Sequence, residues 1–274
     1  MFAYKNKTYI YIIMSIQFQY FSDVHTEMLK SNPKKILKLD IQPLAPYLIL
    51  AGDIGDPFSQ VYYDFLEMLA KKFEKIFLIS GNHEYYETNC ARHLLIYEKE
   101  WMDKVDEKIR AVCDAIGKVV YLQDEVYDME GSDISIFGAT FWSDIRSEER
   151  MNILYSLMDY QKIPGFDIGK GIAKHKRSCG LLERHIAERS DRRFIVISHH
   201  LPSYELIDDR YKRMCMCINS AYATDIAVAA HPNIVAWVAG HTHIPIQKRK
   251  FYVNPIGYPG EDKYGTDFNK VLVV

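Results

Sequence analysis

Five short polar islands, each placed just after an apolar run, constrain this chain more than any other feature. Ile16-Gln17-Phe18-Gln19-Tyr20-Phe21 leads into Asp23-Val24-His25, and Tyr47-Leu48-Ile49-Leu50-Ala51 into Gly52-Asp53. Ile76-Phe77-Leu78-Ile79 leads into Gly81-Asn82-His83-Glu84, Phe194-Ile195-Val196-Ile197-Ser198 into His199-His200, and Ile234-Val235-Ala236-Trp237-Val238-Ala239 into Gly240-His241-Thr242-His243. Runs this short, bounded by Gly, Asp and Asn, predict strands buried on both faces. Polar residues at the carboxyl ends of such strands are where open α/β sheets place their sites. A sixth island, Asn254-Pro255, adds no ligand but follows closely behind the last.

Helical periods separate the runs. Pro57 opens one through Val61, Phe65, Leu66, Leu69 and Phe73, residues 89–116 carry a longer one, residues 172–190 a third and residues 222–230 a short fourth. Further strands are expected at Val119-Val120-Tyr121, 125–129, 134–138 and 270–274, with 244–247 and 251–254 forming a hairpin. Residues 143–171 are the least regular stretch and read as a substrate-side insertion. Helix–strand alternation followed by hairpins predicts an α/β chain of two packed mixed sheets with helices outside. No repeat or linker divides residues 15–274, which read as one domain; residues 1–14 read as an N-terminal extension.

Composition narrows the function. A formal charge of −2 over 274 residues gives no bulk reason to bind a polyanion, although Lys34-Lys35, 170–177 and 248–250 are local basic stretches. Five cysteines are an odd number in a chain too long to need staples, and Cys215-Met216-Cys217 lacks a second close pair, which argues against a zinc finger. Free thiols in a reducing, cytoplasmic compartment follow. Tyr9 to Ile13 is too short an apolar run for a membrane span, and no cleavage pattern for export accompanies it.

The islands offer seven oxygen and nitrogen donors: Asp23, His25, Asp53, Asn82, His199, His241 and His243. One structural metal needs fewer, and two divalent ions with open positions need about this number. Asp23 and His25 have one residue between them, so both can turn to one side of a strand end. Gly81 relieves crowding at a tight turn, and Asn82 can add a neutral oxygen donor. His83 is left to face a substrate, and Glu84 orients backbone or a neighbouring histidine. Paired imidazoles at His241 and His243 after a buried strand are costly unless they bind something or reach solvent. His199 is preferred to His200 because it follows its strand directly. Mixed Asp, Asn and His ligation suits Mn, Fe, Zn, Ni or Co and disfavours an all-oxygen Mg or Ca site. His175 lies in a basic stretch that is either a solvated helix face or a phosphate contact. Trp142, Arg146, Tyr155, Tyr160, Tyr204 and Tyr211, with Arg150, Arg210, Lys212 and Arg213, lie in the stretches expected to choose the substrate.

The order Asp-x-His, Gly-Asp, Gly-Asn-His-Glu, His, Gly-His-x-His resembles the calcineurin-like metallophosphoesterase superfamily, over Phe18 to about Tyr258. Phe21-Ser22-Asp23-Val24-His25, Gly138-Ala139-Thr140-Phe141-Trp142, Asp159-Tyr160, Ser198-His199-His200-Leu201-Pro202-Ser203 and Asn254-Pro255-Ile256-Gly257-Tyr258 resemble small bacterial and viral members. The resemblance implies an αββα sandwich with a dimetal centre at strand ends. It implies Asp23, His25, Asp53 and His243 on one ion, Asp53, Asn82, His199 and His241 on the other, and His83 against the phosphate and leaving group. The implied reaction is hydrolysis of a phosphate ester by metal-activated hydroxide, most simply of a small molecule or nucleotide. A nuclease, a protein phosphatase and a noncatalytic scaffold are the alternatives. No membrane and no obligate protein partner are expected.

Overall fold

The computed structural model describes residues 15–28, 39, 41–88, 90–91, 100–214, 217–261 and 267–274. Two mixed sheets lie face to face. The first has the order β11-β1-β2-β3-β4, built from β1 (Gln17–Phe21), β2 (Tyr47–Ala51), β3 (Lys75–Ile79), β4 (Val119–Tyr121) and β11 (Val271–Val273). Its strands are parallel except for β11, which runs against β1. The second has the order β5-β6-β7-β8-β10-β9. It comprises β5 (Glu125–Asp128), β6 (Ile134–Gly138), β7 (Arg193–Ile197), β8 (Ile234–Ala239), β9 (Ile246–Lys248) and β10 (Phe251–Val253). Here β6, β7, β8 and β10 are parallel, and β5 and β9 cap the edges antiparallel.

Strand alternation sorts the apolar residues into layers. On β2, Ile49 and Ala51 join Phe77, Ile79, Ile136, Ile195, Ile197 and Val238 between the sheets. Leu48 and Leu50 point the other way, onto α1 (Gln60–Ala70) and α2 (Trp101–Ile116) through Phe65, Leu66, Leu69, Val105 and Ile109. Phe194 and Val196 on β7 meet Leu182 and Ile186 of α5 (Ile168–Glu188) on the opposite outside face. The result is an αββα sandwich. Each fully buried Phe or Leu in these layers contributes roughly 1.5–3 kcal/mol.

Several local expectations shift. The first helix begins at Gln60, capped by the Ser59 side chain on the Tyr62 N–H, rather than at Pro57. Residues 222–230 form no α-helix; 3-10 turns occupy Asn219–Ala221 and Ala227–Ala230. The stretch expected to be irregular holds α3 (Arg150–Ser156), α4 (Asp159–Lys162) and the start of α5. Ile153 and Leu157 anchor it to Ile145 and Ala221 in a small separate core. Residues 1–14, Lys34-Lys35, Cys215 and most of 89–99 lie outside the described residues. Asn254-Pro255 acquires a structural role, because Ser22 donates to the Asn254 carbonyl (3.1 Å) and accepts from Ile256 (2.9 Å), joining the two sheets behind the islands.

Candidate metal centre

β1, β2 and β3 are neighbours in one sheet and β7 and β8 in the other, so all five islands meet at one end of the sandwich. The loops continue the pairing: Asp23 N–H donates to Gly52 O, His25 N–H to Asp53 O, and Gly240 N–H to His199 O, each at 3.0 Å. Among the described residues, nine non-glycines have positive φ, and five of them are Asp23, His25, Asp53, His241 and His243. Such strain collects where surrounding structure holds a side chain for function. Gly81 answers the same crowding, for a Cβ there would stand 2.2 Å from Asp53 Oδ1 and 2.7 Å from the His199 ring.

The donors converge. Nε2 of His25 and Nε2 of His243 are 3.0 Å apart, Asp23 Oδ1 is 3.4 Å from the latter, and Asp53 Oδ2 is 3.7 Å from the former. Asp53 Oδ2 also lies 3.3 Å from His199 Nε2, which is 3.0 Å from Asn82 Oδ1 and 4.0 Å from Asp23 Oδ1. Three donor groups result: Asp23–His25–His243, Asp23–Asp53–His199 and His25–Asp53–His83. His241 belongs to none of them, but its buried Nε2 has no hydrogen-bond partner and its backbone N–H donates to both Asp23 oxygens. His200 also stays outside the groups, buried with its ring 4.2 Å from that of His241.

Divalent ions fit this set. Two imidazoles on one ion at 2.0–2.1 Å place their nitrogens roughly 2.9–3.4 Å apart, as His25 and His243 are. The far nitrogen of each is held by an acceptor: Nδ1 of His25 by Glu27 (3.0 Å), of His243 by Glu261 (2.7 Å), of His199 by Ala51 O (2.9 Å). That arrangement fixes the tautomer and aims the Nε2 lone pairs at the centre. The set accommodates two divalent ions, with Asp53 between the groups.

Electrostatics agree with a centre built for cations. Burial opposes charge on Asp23 and Asp53, yet His243 and His199 beside the first, and His199 and His83 beside the second, hold both carboxyls below their ordinary range. Burial also opposes charge on His199, but Asp53 and Asp23 outweigh it and lift its pKa to about 10. Asp23 and Glu261 overcome burial at His243 and lift it to about 9. His200, buried beside His199, is pushed down to about 3.

Sequence reasoning missed the supporting residues. Glu27 holds Nδ1 of His25 and of His83 (3.1 Å) with one oxygen, and it continues the alternate spacing of Asp23 and His25. Asp159 accepts from Asn82 Nδ2 (2.7 Å) and Tyr86 O–H (2.6 Å), turning the Asn82 oxygen inward. Glu84 takes the backbone role, accepting N–H groups of Asp53, Ile54, Gly55 and Gly81.

Three residues expected near a substrate stand elsewhere. His175 is no solvated face or phosphate contact; it is buried on α5, with Nδ1 2.9 Å from Phe141 O, because its helix packs against that loop. Trp142 is buried between Phe166 and His200 and does not line the cavity. Arg146 lies outward over the Tyr204 ring, 4.3 Å from its centroid.

A cavity of about 420 Å³ opens over the centre. His83 lines it, stacked on Tyr86 at 4.3 Å with Nε2 3.2 Å from Tyr258 O–H. Among the described lining residues Lys162 is the only lysine or arginine. No helix among the described residues is long and apolar enough to cross a membrane.

Comparison with known proteins places this architecture. The calcineurin-like phosphoesterase family matches residues 18–245. An uncharacterised protein, L509, of Acanthamoeba polyphaga mimivirus is 28% identical over 211 residues, which are 72% of this chain and 71% of that protein. The crystal structure of phosphopantetheinyl hydrolase (PptH) from Mycobacterium tuberculosis is similar in fold, with a TM-score of 0.70 at 20% identity, over 95% of this chain and 96% of that one.

Proposed function

Because this chain belongs to the calcineurin-like phosphoesterases, we propose that its metal-dependent hydrolytic site cleaves a phosphate ester of a small molecule or nucleotide. The position of Asp53, shared between the His25 and His199 donors and facing the cavity, carries the reading. Asp23, His25, Asp53 and His243 would hold one ion, and Asp53, Asn82, His199 and His241 the other. When bound, such ions acidify water and offset charge on phosphoryl oxygens. Asp23 and Asp53 balance the cationic charge, and Asp159 keeps the Asn82 oxygen turned to it. Glu27 and Tyr258 present the His83 ring to the cavity, where it donates a proton to the departing oxygen. Burial works against a charged His83, but Asp53 and Glu27 raise its pKa and favour the donor form.

Among the described residues the cavity wall carries one lysine and no arginine, which supports a small substrate over a nucleic acid, whose backbone calls for a basic groove. The reading is tested with protein loaded with Mn, and separately with Ni or Zn. Substrates are nitrophenyl monoester and diester, cyclic and linear nucleotides, a phosphopantetheinyl ester, phosphopeptides, and single-stranded and duplex DNA. Turnover of small esters or nucleotides is expected. Cleavage of DNA with small phosphates untouched, or of phosphopeptides alone, would replace the reading with nuclease or protein phosphatase.

A further inference from the structure

Of the seven large apolar side chains exposed among the described residues, five are Met151, Leu154, Tyr155, Met158 and Tyr211. The first three stand at i, i+3 and i+4 on α3, one face of the helix, and are 39–74% exposed. The opposite face is the buried one, with Ile153 in the small core. Met158, just past the helix, and Tyr211 of α6 (Asp209–Met214) are exposed and also line the cavity. Leu157, Ile207 and Tyr222 carry the apolar wall inward. Ser156, Leu157 and Met158, which follow the stripe in the chain, line the cavity, so the stripe borders its mouth.

Residues 150–158 contain no acid and only one cation, Arg150, and on α6 beside Tyr211 the cations Arg210 and Lys212 pair with Asp208 and Asp209. An anionic bilayer is bound by a basic amphipathic surface, which this stretch is not. A second chain on the stripe would cover the cavity mouth. An apolar strip on a folded chain marks a binding surface, and here the occupant that suits it is part of the substrate. Resting on the phosphoesterase reading above, we propose that the substrate is an amphiphilic phosphate ester, its phosphate at the Asp–His centre and a linear apolar arm crossing Met158 and Tyr211 onto α3. From Ser156 at the cavity wall back to Met151, α3 rises about 7.5 Å, the span of roughly six methylenes beyond those that cross the cavity.

The test uses Mn-loaded protein and a homologous series of straight-chain alkyl phosphates from ethyl to decyl, each below its micelle concentration. Phosphate release gives KM, and calorimetry gives the affinity for ethyl and decyl phosphate independently of turnover. KM and Kd should fall about twofold per methylene, below the about fourfold of complete burial, and level off once the chain outruns the stripe. The exposed double variant Leu154→Ser/Tyr155→Ser should flatten that dependence at wild-type metal content and Tm. Leu44→Ser, exposed at the opposite strand ends, should retain it. Affinity independent of chain length, or a slope untouched by the double variant, overturns the proposal. So does sedimentation with phosphatidylglycerol vesicles, or a concentration-dependent dimer, that the double variant abolishes. Chain-length-dependent binding without phosphate release would overturn only the phosphoesterase reading, whereas release from ethyl phosphate with no chain-length dependence would overturn only this one.

Discussion

Asp53 is a single carboxylate with the duties of several residues: Oδ1 accepts the His83 N–H at 2.8 Å while Oδ2 faces both His25 and His199. Asp53→Asn preserves its shape but removes the charge that offsets two cations. Elemental analysis of the purified variant should find both ions depleted and hydrolysis lost, with an unchanged circular dichroism spectrum. Loss of one ion alone would mean that Asp53 serves a single site. His83 should behave differently, because Glu27, Tyr258 and Tyr86 hold its ring without using it to close the Asp23 groups. His83→Ala should keep its metal and lose roughly 10²-fold in rate, with a smaller loss for nitrophenolate than for a poor leaving group. Equal losses across leaving groups would remove the proton-donor role and leave help in positioning.

The strand-end loops act as linked elements, and Glu84 is the link between those after β2 and β3. It is buried and accepts four backbone N–H groups, so Glu84→Ala strands donors that have no water to turn to. The expected cost is about 3 kcal/mol or more, read as a lower urea midpoint at unchanged slope, together with weaker metal binding. A midpoint within error of wild type would show that the loops hold themselves. At this scale the sequence was readable wherever one run of residues contains its own reason. Past Lys75 and Arg193, which open β3 and β7, the strands β2, β3, β7 and β8 are apolar because both faces are covered, and the turn after each strand declares itself by glycine or by charge. It was unreadable where the reason lies across the chain. Asp159 matters because Asn82, 77 residues earlier, needs its amide turned, and nothing in Asp159-Tyr160 alone says so. Glu261 likewise has meaning only beside His243. α3 hides its helical period because apolar residues occupy its exposed face as well as its buried one.

For the whole molecule the centre is a stability element whose sign depends on what fills it. Three apolar clusters hold the sandwich away from the strand ends, so removing metal should not unfold it. Without metal, His199 and His243 carry protons at neutral pH because Asp53, Asp23 and Glu261 lift them to about 10 and about 9. Both values lie above that of an unfolded histidine, roughly 6.5, so the folded chain holds more protons between them. The resulting stability is complete below about pH 6.5 and is lost as pH rises through 9 and 10, when Asp23 and Asp53 face each other unshielded. Bound cations take the place of those protons, and loading should release about two of them near neutral pH. The released number follows from calorimetry in two buffers of different ionisation enthalpy. His200 acts oppositely at the acid end, since burial keeps it neutral down to about pH 3 and its contribution fades as pH falls below about 6.5. Urea unfolding at pH 6.5 to 9 separates the states: with chelator the stability should fall by on the order of a few kcal/mol, and with saturating Mn it should stay level. A metal-free protein equally stable across that range would mean that its aspartates are not paired with protonated histidines, and that the imidazoles wait for metal in their neutral form.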